Sequence, residues 1–157
     1  CFMPNDEKLQ LLQDFIDENI LKIPNNPKYF GEQLVVNENE EIISEEEYLL
    51  INAIDKDVDE IGEFVMQNGG FFIPAHVDRP AFSLTSQLGF IPPDLKCTAI
   101  EISKRSSEEE LLSQFPYLKG RSFIQSSDAH YIADIANAFT NFYLKEASFE
   151  EMQKAFS

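Results

Sequence analysis

Apolar positions at Leu9, Leu12, Phe15 and Ile16 recur at the spacing of one helical face, which predicts a helix over residues 6–19. "PNNP" at 24–27 interrupts that pattern, because the residue before a proline is pushed out of the helical region. "EQLVVNENEEII" then reads as two short strands around a polar turn. Serine or aspartate followed three residues later by glutamate recurs just before apolar runs, the signature of a capping box. Ser44/Glu47, Asp57/Glu60, Ser107/Glu110 and Ser148/Glu151 each predict a helix start by this rule. The second of these helices should stop at Gly69 and Gly70, where a left-handed cap is free of steric cost. "FFIPA", "CTAIEIS", "SFIQSS" and "TNFYL" read as strands, and "YIADIANAF" as a short helix. Strands alternating with helices predict one α/β domain with mainly parallel pairing and flanking helices. No internal repeat or Gly/Ser linker marks a second domain, so residues 1–157 are read as one unit.

Charge narrows the partners. Lys and Arg number 12 against 28 Asp and Glu, a net charge of −16, which repels a phosphate backbone and argues against a dedicated nucleic-acid surface. A small phosphorylated substrate stays compatible, since a bound cation reverses the field locally. The clusters "NENEEIISEEE" and "SSEEELL" fit solvated faces and helix N-termini. Two cysteines, Cys1 and Cys97, form no disulfide framework and point to a reduced, cytoplasmic setting. No run is long enough to span a membrane and no secretion signal is visible.

The chain holds only two histidines, and each follows a short apolar run: His76 after "FFIPA", His130 after "SFIQSS". In parallel α/β architectures ligands gather at the carboxyl ends of strands. If the backbone stays extended, Asp128 and His130 point to one side, as a carboxylate–imidazole pair suited to a divalent transition metal. Two plainer roles remain open: Asp128 orienting His130, or both residues capping a following helix.

The wording is more specific than the spacing. "IPAHVDRP", then "SLTSQLGFIP", "IEIS" and "IQSSDAHYIADI", resembles the later part of a metallophosphoesterase domain of the PHP (polymerase and histidinol phosphatase) family. The resemblance implies a distorted β/α barrel with a multinuclear metal cluster that hydrolyses phosphoesters. It implies that His76, Asp128 and His130 are metal ligands, with zinc, manganese and iron equally compatible. The family's other ligands, a His-x-His pair, an Asp-His pair and a strand-borne Glu, have no counterpart here. The expectation is therefore an incomplete PHP-like barrel: the C-terminal two-thirds of the domain, lacking its N-terminal strands and opening at Cys1. Alone it would bind metal weakly or not at all and be inactive, while the parent protein acts on a small phosphorylated metabolite, nucleotide or oligonucleotide end. Exposed sheet edges would favour homo-oligomers.

Beside those ligands, Arg79 is placed to grip a phosphate in a bidentate fork, or else to pair with Asp78 or another acid. Lys104 and Arg105 follow a strand end and either contact an anion or form a plain basic loop. Glu101 either faces the interior behind a metal ligand or is buried beside a basic residue. Ser126 and Ser127 hold their loop by backbone hydrogen bonds. Ser83, Thr85, Ser86 and Gln87 would lie near the mouth of the site, with Phe82 and Phe90 anchoring that loop to the core. Two other readings compete: a non-catalytic PHP-like module that has lost its cluster, and a plain α/β domain with two incidental histidines.

Overall fold

In the computed structural model, which describes residues 1–156, helix α1 spans Asp6–Asn19 as its periodicity predicts. The Asn5 side chain accepts from the Lys8 amide at 2.9 Å, and Asp6 and Glu7 sit in the first turn, where negative charge favours the helix dipole. The break at "PNNP" is itself used: Asn26 caps a one-turn helix α2 (Pro27–Phe30), with Pro27 at its first position, where the missing N–H costs nothing.

Strands β1 (Leu34–Val36) and β2 (Ile42–Glu45) form an antiparallel hairpin with Leu34 opposite Glu45 and a register irregularity at Val35/Val36. The helix predicted from Ser44 and Glu47 does not form. Ser44 lies inside β2 opposite Val35. The chain after it then spends its backbone groups elsewhere: the Leu49 amide donates to Ile23 O, and the Glu47 carbonyl accepts from Asn25. The Gln33 side chain takes Glu46 O, Tyr48 O and the Leu50 amide. With those groups taken, no i→i−4 ladder is available.

Helix α3 (Val58–Gln67) has both halves of the Asp57/Glu60 capping box and is followed by Gly69 at φ 78°. Phe64 stacks on Phe15 of α1 with ring centroids 4.2 Å apart. A short helix α4 (Leu84–Leu88), capped by Ser83, forms within the loop that carries Phe82 and Phe90. Strand β3 (Ile100–Ile102), helix α5 (Glu108–Gln114) and strand β4 (Phe123–Gln125) follow as predicted, with β4 parallel to β3. Ser107/Glu110 closes a full capping box on α5, and Ser148 caps the last helix, α6 (Phe149–Ala155).

The expected barrel is overturned. Among the described residues there are two sheets of two strands each, β1–β2 and β3–β4, and no barrel closes. Two predicted strands fail for local reasons. Residues 71–74 run beside β3, with Thr98 N donating to Phe72 O and Glu101 N to Pro74 O, but Pro74 has no N–H to extend a ladder. On the other flank the Thr140 hydroxyl, not a strand, binds both Gln125 N and Gln125 O, and 140–144 stays irregular. The helix expected over 131–139 shrinks to a 3-10 turn at Ile132–Asp134.

The core lies around β3. Ile91, Leu95, Ile100, Leu111, Leu118, Val65 and Val77 are fully buried, each contributing about 1.5–3 kcal/mol by leaving water. A second apolar group forms where Phe71 stacks on Phe149 of α6 at 4.2 Å and Phe156 meets both Phe71 and Phe142 edge-on. Phe82 and Phe90, read as loop anchors, are instead exposed; Leu84 and Ile91 pack on the core in their place. None of the helices among the described residues is long and apolar enough to cross a membrane.

The N-terminal segment is pinned by a close backbone approach. Phe2 and Phe71 exchange two backbone hydrogen bonds, and a Cβ on Gly70 would stand 2.7 Å from Phe2 O and 2.8 Å from a Val65 methyl. Gly70→Ala should therefore cost about 1–3 kcal/mol, a fall in Tm of roughly 3–10 °C by thermal melting. An unchanged Tm would contradict this packing.

Candidate functional site

The three segments that flank and form β3–β4 end on one side. Residues 72–74, 100–102 and 123–125 all run in the same direction, so the loops that follow them meet. There a cavity of about 450 Å³ is walled by His76, Arg79, Glu101, Ser103, Lys104, Arg105, Ser126, Asp128, His130, Tyr131 and Asp134. All six residues expected to act at a site, His76, Asp128, His130, Arg79, Lys104 and Glu101, thus line the same space.

The turn that carries His76 and Arg79 is fastened from several sides. Val77, fully buried, donates its amide to Glu101 O of β3 at 2.9 Å. The Thr85 hydroxyl donates to Val77 O at 2.7 Å, and the Ser83 hydroxyl to Arg79 O at 2.6 Å. Asp78 accepts from both the amide and the hydroxyl of Ser103, each at 2.7 Å. Of the acids expected for Arg79, Asp78 is excluded for that reason: it is spent on Ser103. Arg79 instead bonds Asp128, Nη1 to Oδ2 at 2.7 Å, across 49 residues of sequence.

The other wall is set by Gln125, whose side-chain amide donates to Ser103 O and Ser106 O. Ser126 donates to Glu101, so Glu101 is tied across the sheet end rather than behind an imidazole. Asp128 and His130 do not follow strand alternation. Asp128 is left-handed at φ 47°, so its side chain leaves the strand pattern, and His130 Nδ1 turns back to the carbonyl of Asp128 at 2.9 Å. His76 is also left-handed, at φ 32°. Non-glycine residues held there cost on the order of 1–3 kcal/mol each and cluster where a site needs a fixed geometry.

Electrostatically the cavity differs from the rest of the chain. Against a net charge of −16, its wall sets Arg79, Lys104 and Arg105 against Glu101, Asp128 and Asp134. Among the described residues Lys104 and Arg105 make no ion pair, so two cations face the cavity uncommitted to a carboxylate.

A divalent ion fits this donor set in kind. Two imidazoles and a carboxylate line one space, and His76 Nδ1 is buried without a hydrogen-bond partner. The donors are not drawn together: among the described residues no three His, Cys, Asp or Glu side chains gather around one point, and the Asp128 carboxylate is held by Arg79.

Comparisons with protein families, with curated proteins and with solved structures found no match for this chain.

Ser103, Tyr131 and Asp134 carry no site signal in the sequence, and Asp78 enters it only as an alternative ion-pair partner for Arg79. Asp78 has a signal, an acid directly before Arg79-Pro80, but its partner lies 25 residues away, where periodicity gives no guide. Tyr131 and Asp134 fall in the short helix expected over 131–139, of which only a 3-10 turn forms. If Asp78 fastens the turn, Asp78→Ala should cost about 1.5–3 kcal/mol, because the Ser103 amide loses a charged acceptor. Denaturant melts of the variant read this directly; stability within error of the parent would show that the clamp is not needed.

Proposed function

We propose that this chain forms part of a metal-dependent phosphoesterase site acting on a small phosphorylated molecule or nucleotide. The observation that carries the reading is the shared cavity: both histidines of the chain, Asp128 and three cationic side chains meet there from segments far apart in sequence. The wording of residues 73–80 and 126–131 supports it independently, through the resemblance to PHP metallophosphoesterases. The reading does not depend on a barrel, which the described residues do not form.

In this reading His76, Asp128 and His130 are the ligands that the chain contributes. A divalent ion, when bound, would supply positive charge against the phosphate oxygens and acidify a water. Arg79 offers a planar fork matched to two phosphate oxygens, and Lys104 and Arg105 add point attraction at the rim. The turn fastened by Asp78 and Thr85 holds Arg79 and His76 in fixed relation, so substrate and ion would be positioned by one rigid element. The half-open rim leaves room for the rest of a phosphomonoester, with Tyr131 exposed beside it.

A second reading, a module that has lost its cluster and serves protein contacts, draws on the Arg79–Asp128 pair and the lack of a three-donor group among the described residues. One experiment separates the two. The chain is dialysed to equilibrium against Mn²⁺, Zn²⁺ or Fe²⁺, and its metal in excess of the dialysate is measured by elemental analysis beside a His76→Ala, Asp128→Ala, His130→Ala triple variant, which keeps the acidic surface. Metal retained by the parent and lost from the variant is the expected result. Equal metal in both would favour the non-catalytic module.

A further inference from the structure

The Arg79–Asp128 pair joins the two halves of this site, and it joins them in opposition. A carboxylate bonded to a guanidinium is a poor ligand for a cation, and a guanidinium bonded to a carboxylate is a poor receptor for an anion. We infer that Arg79 is a gate: it holds Asp128 until a phosphate monoester takes its guanidinium, and the released carboxylate then helps hold a divalent ion. This rests on the reading of Asp128 as a metal ligand.

The geometry favours exchange at the side chains rather than movement of the backbone. Arg79 is anchored by Ser83 at its carbonyl and by His76 O at its amide, 3.1 Å away, so only the side chain is free to swing. Asp128 is anchored by His130 at its own carbonyl, leaving its carboxylate as the movable part. The pair is accessible, with side chains 36% and 40% exposed, so an incoming anion reaches it without unfolding the loop. Lys104 and Arg105 line the same cavity and draw a doubly charged phosphate towards the guanidinium, which then gains a stronger and bidentate partner than one carboxylate oxygen. Binding of phosphate and of cation is then linked, and linkage is reciprocal: whatever factor the anion adds to the ion's affinity, the ion adds to the anion's.

The test is Mn²⁺ binding to the chain, followed by loss of the free-ion EPR signal, with and without phenylphosphonate as a non-hydrolysable phosphomonoester mimic. Parent, Arg79→Gln and Asp128→Asn are compared, the last to subtract binding at the acidic surface. Phenylphosphonate should tighten the Asp128-dependent Mn²⁺ affinity of the parent about two- to five-fold, the scale set by a half-exposed ion pair. Arg79→Gln should be tighter by a similar factor without the mimic and gain little from it. An enhancement that persists in Arg79→Gln would overturn the gate, since direct contact between mimic and ion would then explain it. A parent indifferent to the mimic overturns it too, and needs no variant to fold. Absence of any Asp128-dependent Mn²⁺ binding would instead sink the metal reading on which the gate rests.

Discussion

Shared chain direction is the constraint on which the rest of this structure depends. Residues 72–74, β3 and β4 run the same way, so the turn at 76–79, the loop at 103–106 and the loop at 126–131 must emerge together. Backbone bonding from Phe72 to Thr98, from Pro74 to β3, and from β3 to β4 enforces that direction even though, of these segments, only β3 and β4 form a regular ladder. The buried side chains Val77, Ile100, Ile102 and Leu111 then fix the sheet against α5 and the turns. Without that arrangement, His76 and His130 would be two isolated polar residues.

On this base the polar clamps set the detail. Asp78 ties the first turn to the loop after β3, and Gln125 ties that loop to β4, so two loops and β4 are joined by side chains rather than by further strands. The same substitution of side chain for strand explains why the sheet stops growing. Thr140 satisfies both backbone groups of Gln125 with one hydroxyl, and Pro74 offers no donor. Left-handed backbone at His76 and Asp128 is tolerated because these fastenings over-determine it.

Much of this is legible in the residues where the physics is local. The helices capped by Asp57, Ser107 and Ser148 follow from three-residue patterns, because cap and first turn are the whole interaction. Ser44 carries the same pattern and fails, because Val35 claims it as a strand partner. The gathering of His76, Asp128 and His130 near strand ends follows from parallel topology, whereas the orientation of Asp128 does not, since a left-handed residue breaks alternation. The barrel was inferred from wording alone, and wording says nothing of whether enough edges find partners to close a sheet. The residues around Arg79 leave it between an anion and an acid, Asp78 or another; only the fold shows that the acid is Asp128 and that Asp78 is already spent.

The central claim is that three loops wall one site for a cation and a phosphate. Its most direct test is a ¹H–¹⁵N correlation spectrum of the chain with substoichiometric Mn²⁺ and phenylphosphonate present, since the ion broadens amide signals within reach of its unpaired electrons. Broadening concentrated on residues 76–79, 101–105 and 126–131 is the expected result. Broadening confined to the acidic hairpin at 38–47, with those three loops left sharp, would contradict it.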